Sequence, residues 1–380
     1  MQNQAATAGE FSAYPFIVNA TVTMRWYALV VNTAGNLPDT ERRMPALVIP
    51  GPAAARTAVP PIDLGERKIS NAGTGTRFVD GAFRYSMLAC SISVLIIVAL
   101  IIYELATKSK LTFVEFGFKF FTGENWDPVA GQFGALPFVY GTVVSSLLSL
   151  IIAVPLAVGV AVFVTEMCPK TIRGFISFTV ELLAAIPSVI YGLWAIFVLA
   201  PLLRNYVQPF LAKYFGFTGL FSGPPFGIGM LAAGIILAIM IIPIISAITR
   251  EVLVAVPQNQ REAALALGAT RWEMIRVAVL RNARTGILGA VILGLGRAIG
   301  ETMAVTMVIG NRPEIAKSLF APGYTMASVI ANELSEATDD LYLSALIEIG
   351  LVLLIVTLIV NAFARLLMWS ITRGHARGHA

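Results

Sequence analysis

Gly294-Leu295-Gly296-Arg297-Ala298-Ile299-Gly300-Glu301-Thr302-Met303-Ala304 sets an arginine and a glutamate inside an apolar run, Gly286–Gly310. That run is long enough to cross a bilayer, whose hydrocarbon core takes about 20 mostly apolar helical residues. A charge near its centre costs roughly 2.5–3.5 kcal/mol on insertion scales. A spacing of four puts Arg297 and Glu301 on one helical face, where they can pair. Pairing recovers only part of the cost, so stability is a weak reason for keeping both. Intramembrane charges usually line a substrate path, and the bland alternative is a structural ion pair. Arg297, Glu301 and the adjoining Thr302 are therefore the candidate pathway residues. Gly296 and Gly300 add a Gly-x-x-x-Gly face that lets another helix approach closely.

Working outward, five more runs of this kind lie near Phe83–Leu105, Phe138–Thr165, Val180–Leu203, Phe226–Thr249 and Leu341–Trp369. The expected fold class is an all-α membrane protein with six transmembrane helices. Composition agrees. The 380 residues are 57% hydrophobic and 13% charged, against about 25% charged in soluble domains. The formal net charge of +5 does not call for nucleic acid, because arginine and lysine in loops set membrane orientation. With the N-terminus inside, and counting from Arg67 onward, the inner side holds fifteen such residues and the outer side seven. Both termini are expected to be cytoplasmic.

Residues 1–75, with Val48-Ile49-Pro50-Gly51-Pro52 and Gly73-Thr74-Gly75-Thr76, read as a disordered cytoplasmic tail. Residues 76–373 form the transmembrane domain, and 374–380 a polar C-terminal tail. Pro155, Pro187 and Pro243 fall inside spans, where each removes a helix hydrogen bond and kinks its helix. Cys90 and Cys168 suggest no disulfide framework, and His375 and His379 belong to the polar tail. No metal site and no cofactor are expected. No phosphate-binding loop or hydrolase motif is present, so the chain is not expected to hydrolyse ATP itself.

The inner loop Arg250–Thr285 has structure of its own. A helix can begin after Pro257 and stop at Gly268. Thr270 with Glu273 then makes a capping box for a second helix. The first helix mixes Ala263, Ala264 and Leu267 with Glu262, a face suited to a partner's groove. A membrane-surface amphipathic helix is the plainer reading of the same pattern.

Glu262-Ala263-Ala264, three residues, then Gly268 resembles the EAA loop of ABC-importer permeases. In that family the loop docks on a cytoplasmic ATPase, which implies ATPase coupling through Glu262, Ala263, Ala264 and Gly268. The family pattern continues with Ile-x-Leu-Pro. Here Ala278, Val279, Leu280 and Arg281 keep only the leucine. Gly294 to Asn311 and Glu181 to Trp194 resemble the phosphate-specific ABC permeases. Trp126-Asp127-Pro128, Phe133-Gly134-Ala135-Leu136-Pro137 and Gly141-Thr142 point to their PstC branch. The resemblance covers roughly Phe78 to Arg373. It implies a type I ABC importer permease fold in the inner membrane. It also implies ATP-driven uptake of inorganic phosphate with a sister permease, an ATPase dimer and an extracytoplasmic phosphate-binding protein. Arg297 has a donor fork that matches an oxyanion, with Glu301 orienting it. A permease for sulfate or molybdate fits the same residues, and a secondary transporter or a membrane enzyme fits less of the chain.

Overall fold

The computed structural model describes the backbone of residues 74–376 and the side chains of 81–366, Met368 and Trp369. The expected tail over 1–75 lies outside these residues, apart from Thr74 and Gly75, which open the first helix. The last helix runs to Ala376, and the remainder of the expected C-terminal tail also lies outside.

In chain order the helices are α1 (Thr74–Lys108), α2 (Lys110–Phe116), α3 (Lys119–Thr122), α4 (Leu136–Val162), α5 (Lys170–Ala185), α6 (Ser188–Trp194), α7 (Ala200–Leu202), α8 (Gln208–Phe215), α9 (Met230–Val254), α10 (Gln258–Ala266), α11 (Arg271–Met274), α12 (Arg281–Ile299), α13 (Met303–Thr306), α14 (Met326–Glu333) and α15 (Asp340–Ala376). Wide π turns join some of them into longer rods, so Ser188–Thr218 and Arg271–Ile299 each run as one helical stretch. Among the described residues, six stretches are long and apolar enough to span a membrane. In lipid each must satisfy its own backbone, which helices do.

α9 is the central post. It packs along α4 and against α12, and small residues make the close approach. Ala153 and Ala157 of α4 and Ala232, Ala233 and Ala238 of α9 are all buried. Where a side chain on Gly234 would stand, Leu148 of α4 already lies. α12 contributes Ala290, Gly294 and Ala298, spaced four apart and buried, with Gly294 against Ile245. This small-residue stripe lies two positions away from the expected Gly296–Gly300 face. Nothing outside its own helix lies within 4 Å of where a side chain on Gly296 or Gly300 would stand. Dispersion contacts, not the hydrophobic effect, hold such interfaces in lipid.

Two expected spans differ from the structure. The third, Val180–Leu203, is interrupted. α5 ends at Ala185, Ile186 is extended (φ −68°, ψ 129°), and α6 starts at Ser188 with Pro187 as its cap. Pro187 is therefore a break between helices and not a kink within one. Proline forces its predecessor out of the helical region, and the Leu183 carbonyl, which Pro187 has no amide to serve, accepts from the Tyr191 hydroxyl at 2.8 Å and the Ile186 amide at 3.4 Å. Pro155 and Pro243 do sit inside their helices. The span then continues to Thr218 and takes Arg204 and Lys213, expected in an outer loop, into its far end. The fifth span, expected to run to Gly310, starts at the second loop helix and ends at Ile299.

α1 is the outlier. Its large apolar side chains, among them Phe83, Leu95 and Tyr103, are exposed within this chain. Its end is pinned where Ser344 Oγ donates to the Lys108 carbonyl at 2.9 Å. Beyond it, Trp126, Phe133, Phe138, Tyr324 and Tyr342 form an aromatic core. Trp126 Nε1 and the Tyr342 hydroxyl both donate to Glu333 Oε2, at 2.9 and 2.7 Å.

Candidate functional site

Ending α12 at Ile299 changes the setting of the charged pair. Arg297 lies in its last turn, while Glu301 lies beyond it, in a break over Gly300–Thr302. Arg297 Nη2 and Glu301 Oε2 are 3.8 Å apart, too far for a hydrogen bond. Their exposures differ sharply, at 43% for the arginine side chain and 7% for the glutamate. Glu301 turns inward, and its Oε1 faces the Ala304 amide of α13 at 3.5 Å. The Arg297 side chain donates no hydrogen bond among the described residues. Its fork is held electrostatically from one side and left open on the other. A cation in a helix's last turn is also favoured by the helix dipole.

Two discontinuous helices meet at this level. α13 restarts the chain after Glu301 and packs on α6, which restarts it after Pro187. Gly192 permits the approach, since a side chain there would stand 3.0 Å from Ala304 Cα. The two sequence segments singled out above, Glu181–Trp194 and Gly294–Asn311, are thus neighbours in space. Broken helices in transporters commonly frame substrate sites, because unpaired backbone is tolerated only along a protein-lined path. Thr302 and Gly300 line a groove of about 700 Å³ together with Ala327, Ile330, Ser335 and Leu353. Arg297 and Glu301 do not line it.

Sequence reasoning missed a buried acidic residue within the sixth span. Glu348 of α15 is 1% exposed, and its Oε2 has no hydrogen-bond partner among the described residues. The signal was present, a lone acid in Leu346-Ile347-Glu348-Ile349.

On the opposite end lies the loop between α9 and α12. α10 begins after Pro257 and ends at Ala266, with the expected Gly268 just past its cap at φ +84°. The Gly268 amide donates to Leu265 O and the Ala269 amide to Ala264 O, the paired bonds that close a helix C-terminus. Thr270 caps α11, and Glu273 completes the capping box. Glu262 and Ala263 are exposed, while Ala264 is half-buried against the core beneath. Leu267 is 89% and Trp272 62% exposed. With Glu262, Leu265 and Lys170, Trp272 borders a groove of about 730 Å³. Leu265, Leu267 and Trp272 thus leave an apolar rim exposed beside this groove.

The structure is thus a bundle with six candidate spans among the described residues, a break at Gly300–Thr302 beside a charged pair, and a short capped helix pair exposed between α9 and α12. Residues 153–372 match the family model described as binding-protein-dependent transport system inner membrane component. The chain belongs to that family: it is a multi-pass inner-membrane permease of the ABC class, and not the ATPase. It is 46% identical to the phosphate transport system permease protein PstC of Mesorhizobium japonicum over 84% of this chain and 98% of that protein. It is 45% identical to the PstC protein of Pasteurella multocida, over 78% and 93%. The probable PstC protein of Methanocaldococcus jannaschii is 38% identical over 65% and 80%. Among solved structures, a bacterial ABC transporter involved in import of the acidic polysaccharide alginate aligns with TM-score 0.49 and 19% identity, covering 76% of this chain and 98% of that one.

Proposed function

We propose that this chain is the permease subunit that carries inorganic phosphate into the cytoplasm. It does so with a second permease subunit, two copies of a cytoplasmic ATPase that dock on α10, and an extracytoplasmic phosphate-binding protein. The observation that carries the substrate is Arg297. Its fork is half-exposed, makes no hydrogen bond among the described residues, and stands at a helix break. A guanidinium presents paired donors that match phosphate oxygens. The inward-turned Glu301 holds it from behind at 3.8 Å and weakens its field, so a bound anion can leave again. The names of the relatives support phosphate over other oxyanions.

Labelled phosphate uptake into ATP-loaded vesicles containing all subunits is expected to resist excess sulfate. Competition by sulfate as strong as that by unlabelled phosphate would remove the substrate assignment. Both termini and α10 belong on the cytoplasmic side, supported by the surplus of arginine and lysine there. A reporter fused after Ala380 is expected to be active only if it works in the cytoplasm. Activity of a reporter that works solely outside would reverse the orientation.

A further inference from the structure

The docking helix is not suspended from a flexible loop, and the residue that prevents this is Arg261. Its neighbour Glu262 faces outward, whereas the Arg261 side chain turns into the bundle and is 12% exposed. Nη2 donates to Glu166 Oε1 at 3.0 Å and to the Leu253 carbonyl at 2.7 Å. Nη1 donates to the Val256 carbonyl at 2.5 Å and faces Gln258 Oε1 at 3.5 Å. Glu166, itself 9% exposed, belongs to the π turn Phe163–Met167 that ends α4. Leu253 lies in the last turn of α9, where carbonyls lack intrahelical partners and attract cations. One guanidinium therefore ties the ends of α4 and α9 to the first turn of α10. Next to it, Asn282 Nδ2 donates to Gln260 Oε1 at 2.6 Å and links α10 to the start of α12.

We propose that Arg261 is the positioning residue that converts movement of the docked α10 into movement of the spans. The proposal rests on the reading of α10 as the ATPase docking helix. Without Arg261, α10 would be joined to α9 through Ala255-Val256-Pro257 and the packing of Ala264, and to α12 through the Asn282 contact, and a displacement of α10 could be absorbed there. With it, α10, α4 and α9 move as one body. α9 packs on α12, which carries Arg297 in its last turn. The geometry calls for arginine in particular. Two nitrogens serve a carboxylate and two carbonyls at once, which the single ammonium of lysine cannot do in the same directions.

The test uses the full transporter in vesicles with Arg261→Ala, Arg261→Lys and Glu166→Gln. ATP hydrolysis and phosphate uptake are both measured per assembled complex. The expected result is retained hydrolysis with uptake per ATP reduced about tenfold for Arg261→Ala, the size of a typical coupling energy. Smaller reductions are expected for Arg261→Lys and Glu166→Gln. If hydrolysis and uptake fall together, leaving their ratio unchanged in all three, Arg261 is only structural and the proposal is overturned. Docking is read separately by cross-linking Leu267→Cys to the ATPase. A cross-link with an unchanged ratio defeats this proposal alone. Failure of Leu267→Cys to cross-link in an active transporter defeats the docking reading, and this proposal with it.

Discussion

An Arg297→Ala transporter is expected to take up phosphate up to about 100-fold more slowly than wild type, since losing hydrogen bonds to a charged group costs about 1.5–3 kcal/mol. Two effects act in the same direction. The anion loses its donor fork, and Glu301, whose side chain is 7% exposed, is left as an uncompensated negative charge beside the path. Assembly should survive, because Arg297 holds no described neighbour by hydrogen bonds and is half-exposed. The ion-pair alternative makes a different forecast. If Arg297 served only to neutralise Glu301, the double variant Arg297→Ala, Glu301→Gln would recover uptake. We expect it to stay as slow as the single variant. Initial rates of labelled phosphate uptake per assembled complex decide this, and recovery in the double variant would reduce Arg297 to a clamp.

Gly141→Ala is expected to destabilise the subunit by about 3 kcal/mol, the upper end for overpacking a tight contact. Gly141 lies near the start of α4, where a Cβ would overlap the Tyr324 carbonyl oxygen and stand 2.9 Å from its carbonyl carbon. Neither atom can swing away as a side chain could. The Tyr324 ring is 2% exposed and meets Phe138 edge-on with centroids 5.5 Å apart. The Met326 amide donates to Thr142 Oγ1 at 3.0 Å. The segment is thus anchored on both sides of the overlap. Gly159 of the same helix is the control, with nothing within 4 Å of its would-be Cβ. Gly159→Ala is expected to be neutral or to gain up to about 1 kcal/mol from helix propensity. Denaturant unfolding in detergent compares the two, and equal midpoints would show that the loop yields at little cost.

What could be read from the residues in order was what local chemistry controls. The number of spans follows from hydropathy, because a chain in lipid must satisfy its own backbone and has few ways of doing so. The loop helices were legible to within a residue or two for the same reason. Pro257, Gly268 and the Thr270–Glu273 box act on their immediate neighbours, and no distant contact overrides them. Arg297 and Glu301 stood out because a charge in an apolar run is visible one residue at a time. Glu348 was equally visible and was passed over.

Only the folded chain decided the rest, and in each case the deciding partner is far away in sequence. α12 stops at Ile299 where α13 turns onto α6, more than a hundred residues back, at a contact that requires Gly192 to lack a side chain. Pro187 breaks its helix where Pro155 and Pro243 do not, with Tyr191 capping the loose end. The packed face of α12 is Ala290, Gly294 and Ala298, because Ile245 of α9 reaches into Gly294. Arg261 looked like one more inner-loop cation until Glu166, 95 positions earlier, was seen beside it. Helices and caps depend on neighbours a few residues apart. Breaks, faces and tethers depend on which helices meet, and the order of residues along one helix does not contain that.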